Sequence, residues 1–251
     1  MFSRRPGHRF NRGRVAVDRA SSTPLTVYGS DLYQWQRGDL GITIGTGVSA
    51  WADQSGKAND DLQGTAANQP LYTASDATLN NQPTVTGDGV NDVMTAASLV
   101  TDLTTDDFYL CAIVKQNTWT NGDCFFGGAG TNIPRWSQAG ATPSIQQFAT
   151  VGANASSAAT LGNWFRAEIF WSATAGTSYV KIGSTLIQSG NPGTGNRTSS
   201  TVFGLPAAAF SNIAVAEKFV VKRAAGSGGP TASERALINA YLQARYPAAS
   251  F

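Results

Sequence analysis

Few residues in this chain could carry acid–base or nucleophilic chemistry. Among 251 residues there are three glutamates, Glu168, Glu217 and Glu234, and no predicted strand carries two of them. Hydrolysis of a glycosidic bond needs a positioned pair of carboxyl groups, one acid and one nucleophile or base. Only an aspartate pair, such as Asp88 with Asp92, leaves that reaction open, and the chain reads as non-enzymatic. The one histidine, His8, lies in a basic segment with nothing to hold it against a nucleophile or to shape a zinc site. Gly56-Lys57-Ala58 lacks the hydroxyl and the preceding glycine of a phosphate-binding loop.

Two kinds of binding chemistry remain. Asp53, Asp88, Asn91 and Asp92 are oxygen ligands in loop contexts, which makes calcium the one metal to weigh. The competing reading is turn chemistry, in which Asp and Asn bond their own backbone; the spacing Asp88-Gly-Val-Asn-Asp92 favours it, and no other cofactor is expected. Asn117-Thr-Trp-Thr-Asn121 places Trp119 in a polar loop between apolar runs, and Asn132-Ile-Pro-Arg-Trp136 forms a second cluster. Trp119, Asn121, Arg135 and Trp136 are therefore candidate glycan contacts, an aromatic plate with hydrogen-bonding groups beside it. The alternative for both tryptophans is packing against the fold or in a subunit interface. Trp35, Trp51, Trp164 and Trp171 sit in apolar context and are expected to pack. Cys111 and Cys124 fall in strand-like runs that could face one another across a hairpin, and two reduced, buried thiols are expected.

The elements that must position these groups are β-strands. Short β-branched and aromatic runs recur between Gly, Asn, Asp and Pro clusters from residue 27 onward, the spacing of a sandwich. Strands are predicted near 41–45, 48–52, 83–86, 108–115, 123–127, 144–151, 163–171, 178–183, 185–188, 200–204 and 212–222. In 108–115 nearly every position is apolar, which predicts a central strand covered on both faces. In 164–171 one face is wholly apolar, while Arg166 and Glu168 suggest that the other is less buried. The last element is the one helix expected: Thr231-Ala-Ser-Glu234 has the form of a capping box, Leu237, Ile238, Tyr241 and Leu242 recur at helical spacing, and Pro247 ends the run.

Composition agrees with a folded, unusually uncharged body: 41% of residues are hydrophobic, 10% aromatic and only 14% charged, against about a quarter charged in ordinary soluble domains. No apolar stretch approaches the roughly 20 residues needed to cross a bilayer, so membrane insertion is not expected, and no secretory signal is visible in the N-terminal residues. The net charge of +2 is unevenly spread. Arg4, Arg5, Arg9, Arg12, Arg14 and Arg19 precede residue 20 with the single Asp18, giving that segment +5 and the remainder −3. Residues 1–24 read as a basic arm and 25–251 as one domain. The arm suits docking onto an acidic protein surface or onto phosphates, with a disordered tail as the alternative.

Several segments in order resemble the concanavalin A-like, laminin G-like domains of phage virion and bacterial surface proteins. Trp35-Gln-Arg-Gly-Asp-Leu-Gly41 followed by Val48-Ser-Ala-Trp-Ala-Asp-Gln-Ser-Gly56 looks like their opening. Gln82 to Val93, with its Gly-Asp-Gly turn, resembles their next signature. Gly162-Asn-Trp164 with Tyr179 to Gly183 is similar to their late hairpin, and Ile213 to Lys222 then Glu234 to Tyr246 to their final strand and helix. The resemblance spans roughly residues 28–246. It implies an all-β jelly-roll sandwich with an extended N-terminal arm and a C-terminal helix, a fold that serves lectins, hydrolases and structural modules alike. The expectation is a homo-oligomeric virion subunit (decoration, spike or fibre) that docks to other subunits through the arm and presents a lectin-like face to host glycans. A bacterial extracellular adhesin or carbohydrate-binding module, at the cell surface, is the alternative, and a divergent glycan hydrolase the third reading.

Overall fold

The computed structural model describes residues 22–130, 135–138, 145–148, 152–154, 160–172, 174, 177–190, 193–206 and 208–251. The six arginines assigned to the arm, Arg4 to Arg19, lie outside the described residues.

The chain runs through a short helix α1 (Pro24–Tyr28) and then β1 (Leu32–Arg37), β2 (Ile42–Ile44), β3 (Val48–Trp51), β4 (Asp61–Leu62), β5 (Leu71–Asp76), β6 (Gln82–Thr86), β7 (Met94–Ala96), β8 (Thr101–Asp102), β9 (Asp106–Gln116) and β10 (Cys124–Ala129). There follow β11 (Arg135–Gln138), β12 (Ile145–Phe148), β13 (Gly152–Asn154), β14 (Trp164–Trp171), β15 (Ser178–Ile182), β16 (Thr185–Gly190), β17 (Asn196–Arg197), β18 (Ser199–Val202), β19 (Ile213–Ala224) and the C-terminal helix α2 (Ala232–Arg245). The described strands form an eight-stranded antiparallel sheet in the order β16-β15-β14-β9-β19-β6-β5, with β1 also paired to β19, and a nine-stranded sheet in the order β13-β12-β11-β10-β18-β7-β4-β3-β2. This is the all-β sandwich expected, with its C-terminal helix.

Two apolar layers hold it together. Phe108, Leu110, Ala112 and Val114 of β9 point between the sheets, where they meet Trp51, Phe126, Trp136, Trp171 and Val202. Tyr109, Cys111 and Ile113 point the other way, against Tyr28, Trp35, Ile238, Tyr241 and Leu242 of α1, β1 and α2. A strand apolar on both faces thus lies at the centre of the eight-stranded sheet, between β14 and β19. Between β10 and β18 the chains approach so closely that a Cβ at Gly128 would fall 1.9 Å from the Ser199 carbonyl oxygen, so that position requires glycine.

A bulge in β19 explains two charged residues inside the protein. The β9–β19 register shifts between Val215 and Glu217, so Ala216 and Glu217 both face the helix layer and every later side chain changes face. Glu217, 1% exposed, accepts hydrogen bonds from Trp35 Nε1 at 2.7 Å, Tyr241 Oη at 3.0 Å and Tyr246 Oη at 2.8 Å, with Arg245 Nε at 3.4 Å. It fastens α2 to the sheet. Lys218 points into the inter-sheet core, where Nζ donates to Gln34 Oε1 and Gln36 Oε1 and pairs with Asp61 Oδ2 at 2.9 Å. Such a charge is tolerated inside because each of its donors has a partner. Arg197, also fully buried, lies 4.3 Å and 4.6 Å from the Phe108 and Phe126 ring centres, a cation held against two aromatic faces.

Three expectations change. Arg166 and Glu168 are 2% and 1% exposed and form a 3.0 Å ion pair; their face is covered by α2, so mixed polarity marked a helix-covered face. Cys111 and Cys124 do not oppose one another, because the chain crosses from the eight-stranded to the nine-stranded sheet between them; both thiols are free and buried. The helix expected last has a partner in α1, five residues capped by Thr23. α2 itself carries the capping box: Glu234 N donates to Thr231 Oγ1 at 3.2 Å and Thr231 N to Glu234 Oε2 at 2.7 Å. Among the described residues no helix is long and apolar enough to cross a membrane.

Candidate functional site

Three connections meet at Asn212: the β6–β7 turn, the β9–β10 loop and the segment from β18 into β19. Asn117 Nδ2 donates to Asn212 Oδ1 at 2.9 Å, and the Asn117 and Thr118 amides donate to the Asn212 carbonyl at 3.0 and 3.5 Å. Gly87 N bonds the neighbouring Ile213 carbonyl at 3.1 Å. Gly89, at φ +78, passes so close that a Cβ on it would lie 3.1 Å from Asn212 Cβ. The Gly-Asp-Gly motif therefore closes against Asn212 through a left-handed glycine.

The β9–β10 loop is pinned on its other side by Gln138 at the end of β11. Thr120 N donates to Gln138 Oε1 at 2.6 Å and Gly122 N to the Gln138 carbonyl at 2.8 Å. Gln138 Nε2 donates in return to the Thr118 carbonyl at 3.3 Å. Trp119 sits between these clamps, half-buried, and its indole Nε1 is buried without an acceptor among the described residues. Asn121 beside it is exposed and Arg135, opening β11, half-buried. Trp136 leaves the candidate set: it is 1% exposed and packs edge-on against Phe125 with ring centres 4.6 Å apart. Alternation along β11 turns it into the core.

The carboxylates proposed as metal ligands are engaged by backbone. Asp88 Oδ1 receives the amides of Val90, Asn91 and Asp92 at 2.8, 3.1 and 3.3 Å, and Asp92 Oδ2 receives the Asp88 amide at 2.9 Å. Burial opposes ionisation of Asp88, but those amides prevail and hold its carboxyl below the usual range. Burial pushes Asp92 up to about 6, against its amide bond and with the Asp88 charge adding to the rise. The aspartates thus titrate apart, as acid–base pairs do, yet Asp92 is only 5% exposed. Asp53 belongs to another loop: it accepts from Trp35 N and Ser55 N at 2.8 Å, from Ser55 Oγ at 2.6 Å and from Asn59 N at 3.1 Å. Among the described residues no three of His, Cys, Asp and Glu gather at one place. The structure gives Asp53, Asp88 and Asp92 turn chemistry, with N–H groups directed at the oxygens a cation would need.

What results is a rim of loops carrying an indole, side-chain amides and an ionised carboxylate, groups able to stack on and hydrogen-bond a polyhydroxylated ligand. Sequence reasoning found Trp119, Asn121 and the Asp88 turn but missed Asn212 and Gln138, single polar residues at strand ends with no motif around them. Two cavities lie elsewhere: one of about 320 Å³ lined by Thr78, Asn163, Trp164 and Ser250, and one of about 270 Å³ beside α2.

No protein-family model and no curated protein sequence matches the chain. Solved structures do match in fold. Domain 4 of AbnA, a GH43 extracellular arabinanase from Geobacillus stearothermophilus, in complex with arabinotriose, superposes with a TM-score of 0.55 at 13% identity, over 84% of this chain and 98% of that domain. A GH54 α-L-arabinofuranosidase superposes with a TM-score of 0.56 at 13% identity, over 88% of this chain, which spans 60% of the enzyme's length. The binding domain of botulinum neurotoxin serotype G gives 0.51 at 10% identity, over 84% of this chain and 50% of that one. At these identities the likeness is one of fold: the chain is a β-sandwich similar to domains found in carbohydrate-active enzymes and a neurotoxin.

Proposed function

We propose that this chain is a non-enzymatic carbohydrate-binding β-sandwich whose contact surface is the loop rim around Asn212. The observation that carries the reading is Trp119, a half-buried indole whose Nε1 has no acceptor among the described residues, on a loop clamped from both sides by Asn212 and Gln138. A pre-ordered loop loses little entropy on binding, and an aromatic plate flanked by amide groups suits a sugar ring. The likeness to a domain solved with arabinotriose, over nearly its whole length, supports the same reading. Asn121 is assigned to a polar contact at the rim, whereas Arg135, beside Gly127 at the other end of β11 from Gln138, lies away from it.

The finer reading is a concanavalin A-like virion subunit, homo-oligomeric, docked through residues 1–24. What supports it is the sequence: six of the thirteen arginines fall in that segment, ahead of a body of opposite net charge. The experiment for the function is an immobilised-glycan array with the full chain. Dose-dependent binding to a defined group of glycans is expected; a blank array alongside a correctly folded protein overturns the proposal.

A further inference from the structure

A second polar site lies on the opposite layer, where the N-terminal half of α2 crosses β14 and β15. Its cavity, about 270 Å³, is lined by Arg166, Glu168, Lys181, Arg235 and Asn239, and the small Ala232 and Ala236 leave its helix side open. Arg166 and Glu168 are almost fully buried and paired, Arg166 Nη2 to Glu168 Oε1 at 3.0 Å. Arg166 also donates to Asn239 Oδ1 and to the Gly183 carbonyl. Two of their atoms are left over: Arg166 Nε and Glu168 Oε2 are buried without a hydrogen-bond partner among the described residues. Buried polar atoms in folded proteins nearly always have one, so this donor and acceptor, both on side chains lining a cavity, mark places for ligand atoms.

The charge is as unbalanced as the hydrogen bonding. Glu168 is matched by Arg166, which leaves Lys181 and Arg235 with no carboxylate partner among the described residues. Arg235 Nη1 donates to Tyr179 Oη at 2.9 Å, and Lys181 Nζ lies 5.1 Å from the Tyr179 ring centre. The amino-terminal end of a 14-residue helix adds partial positive charge to the same place. A ligand that completes this set brings an anionic group for Lys181 and Arg235, a hydroxyl to donate to Glu168 Oε2 and an oxygen to accept from Arg166 Nε.

We propose that this cavity binds a sugar acid, a single polyhydroxylated ring bearing a carboxylate, independently of the Asn212 rim. The test is calorimetric titration of the full chain at low ionic strength with D-galacturonate, D-galactose and inorganic phosphate, on wild type, Lys181→Gln, Arg235→Gln and Trp119→Ala. Circular dichroism confirms that each variant is folded; Lys181 reports even if Arg235→Gln loosens α2, because among the described residues its ammonium forms no ion pair within 4 Å and lies over the Tyr179 ring. Saturable galacturonate binding is expected, with galactose and phosphate each roughly tenfold weaker or worse, a loss of roughly tenfold in Lys181→Gln, and no change in Trp119→Ala. The proposal is overturned by the absence of saturable galacturonate binding, by galactose or phosphate binding as well as galacturonate, or by binding indifferent to Lys181 and Arg235. Loss in Trp119→Ala would assign the binding to the rim instead and overturn this site while leaving the first proposal standing.

Discussion

Replacing Asp92 with asparagine distinguishes turn chemistry from metal or acid–base chemistry at the Gly-Asp-Gly turn. Asn keeps an oxygen for the Asp88 amide and removes a charge that burial and Asp88 both disfavour. The folded carboxyl titrates at about 6 against 3.8 in an unfolded chain, so the native state binds more protons between these values. The wild type's stability from this residue is therefore full below pH 3.8, falls as pH rises through about 6, and is level above it. At about 1.4 kcal/mol per unit the shift bounds the effect at ~3 kcal/mol. The Asp88 amide bond, which favours the charged form, is already contained in that shift, so the variant's gain above pH 6.5 is at most about 3 kcal/mol. Urea unfolding of wild type and Asp92→Asn across pH 3.5–8 reads this directly. The variant is expected to match wild type at the acid end, to exceed it above pH 6.5, and to lack the decline between. A variant less stable at pH 7, or a calcium-dependent stabilisation of wild type that Asp92→Asn abolishes, would show that the carboxylate is needed ionised and refute the reasoning.

Glu217→Gln, which puts a donor against groups that already donate while Arg245 keeps Asp39 at 3.1 Å, is expected to cost about 1–3 kcal/mol and to release α2 first, seen as early hydrogen exchange at Ile238 and Leu242; exchange unchanged there would contradict its fastening role. Burial pushes the Cys124 thiol up to about 12 and raises Cys111 further, so both should resist a thiol reagent at pH 8 in the native protein and react when it is denatured without reductant. A denatured count of zero would mean a disulfide. On the proposed virion-subunit reading, removal of residues 1–21, which keeps Thr23 to cap α1, is expected to leave a cooperatively melting sandwich that no longer incorporates into a particle; incorporation at the wild-type copy number would return the arm to a passive tail.

The strands legible in the sequence were those whose apolar pattern is strong, β9, β14 and β19 above all, together with the capped α2. β1, β5, β7 and β11 were not, because Leu32–Arg37 and Arg135–Gln138 carry glutamines where alternation expects apolar groups, and Leu71–Asp76 is an exposed edge. The glutamines of β1 face inward for a reason no local pattern contains: they accept from Lys218, which a bulge in another strand turns into the core. Arg166 and Glu168 misled in the same way, since the helix that buries them lies more than sixty residues on. At the rim, Trp119 was legible as an aromatic in a polar loop, whereas Trp136 was not separable from it until β11 fixed its face. Asn212 acquires meaning only when three distant connections close upon it.

The central claim, that the Asn212 rim binds carbohydrate through Trp119, is tested most directly by titrating the best glycan from the array into wild type and Trp119→Ala while following binding by calorimetry. Thermal melts establish that both are folded. A half-buried loop indole can be removed with little loss of stability, whereas a stacked sugar ring would lose its main contact, so the account predicts an affinity at least roughly tenfold weaker at a nearly unchanged melting temperature. Equal affinity in the two proteins would contradict it.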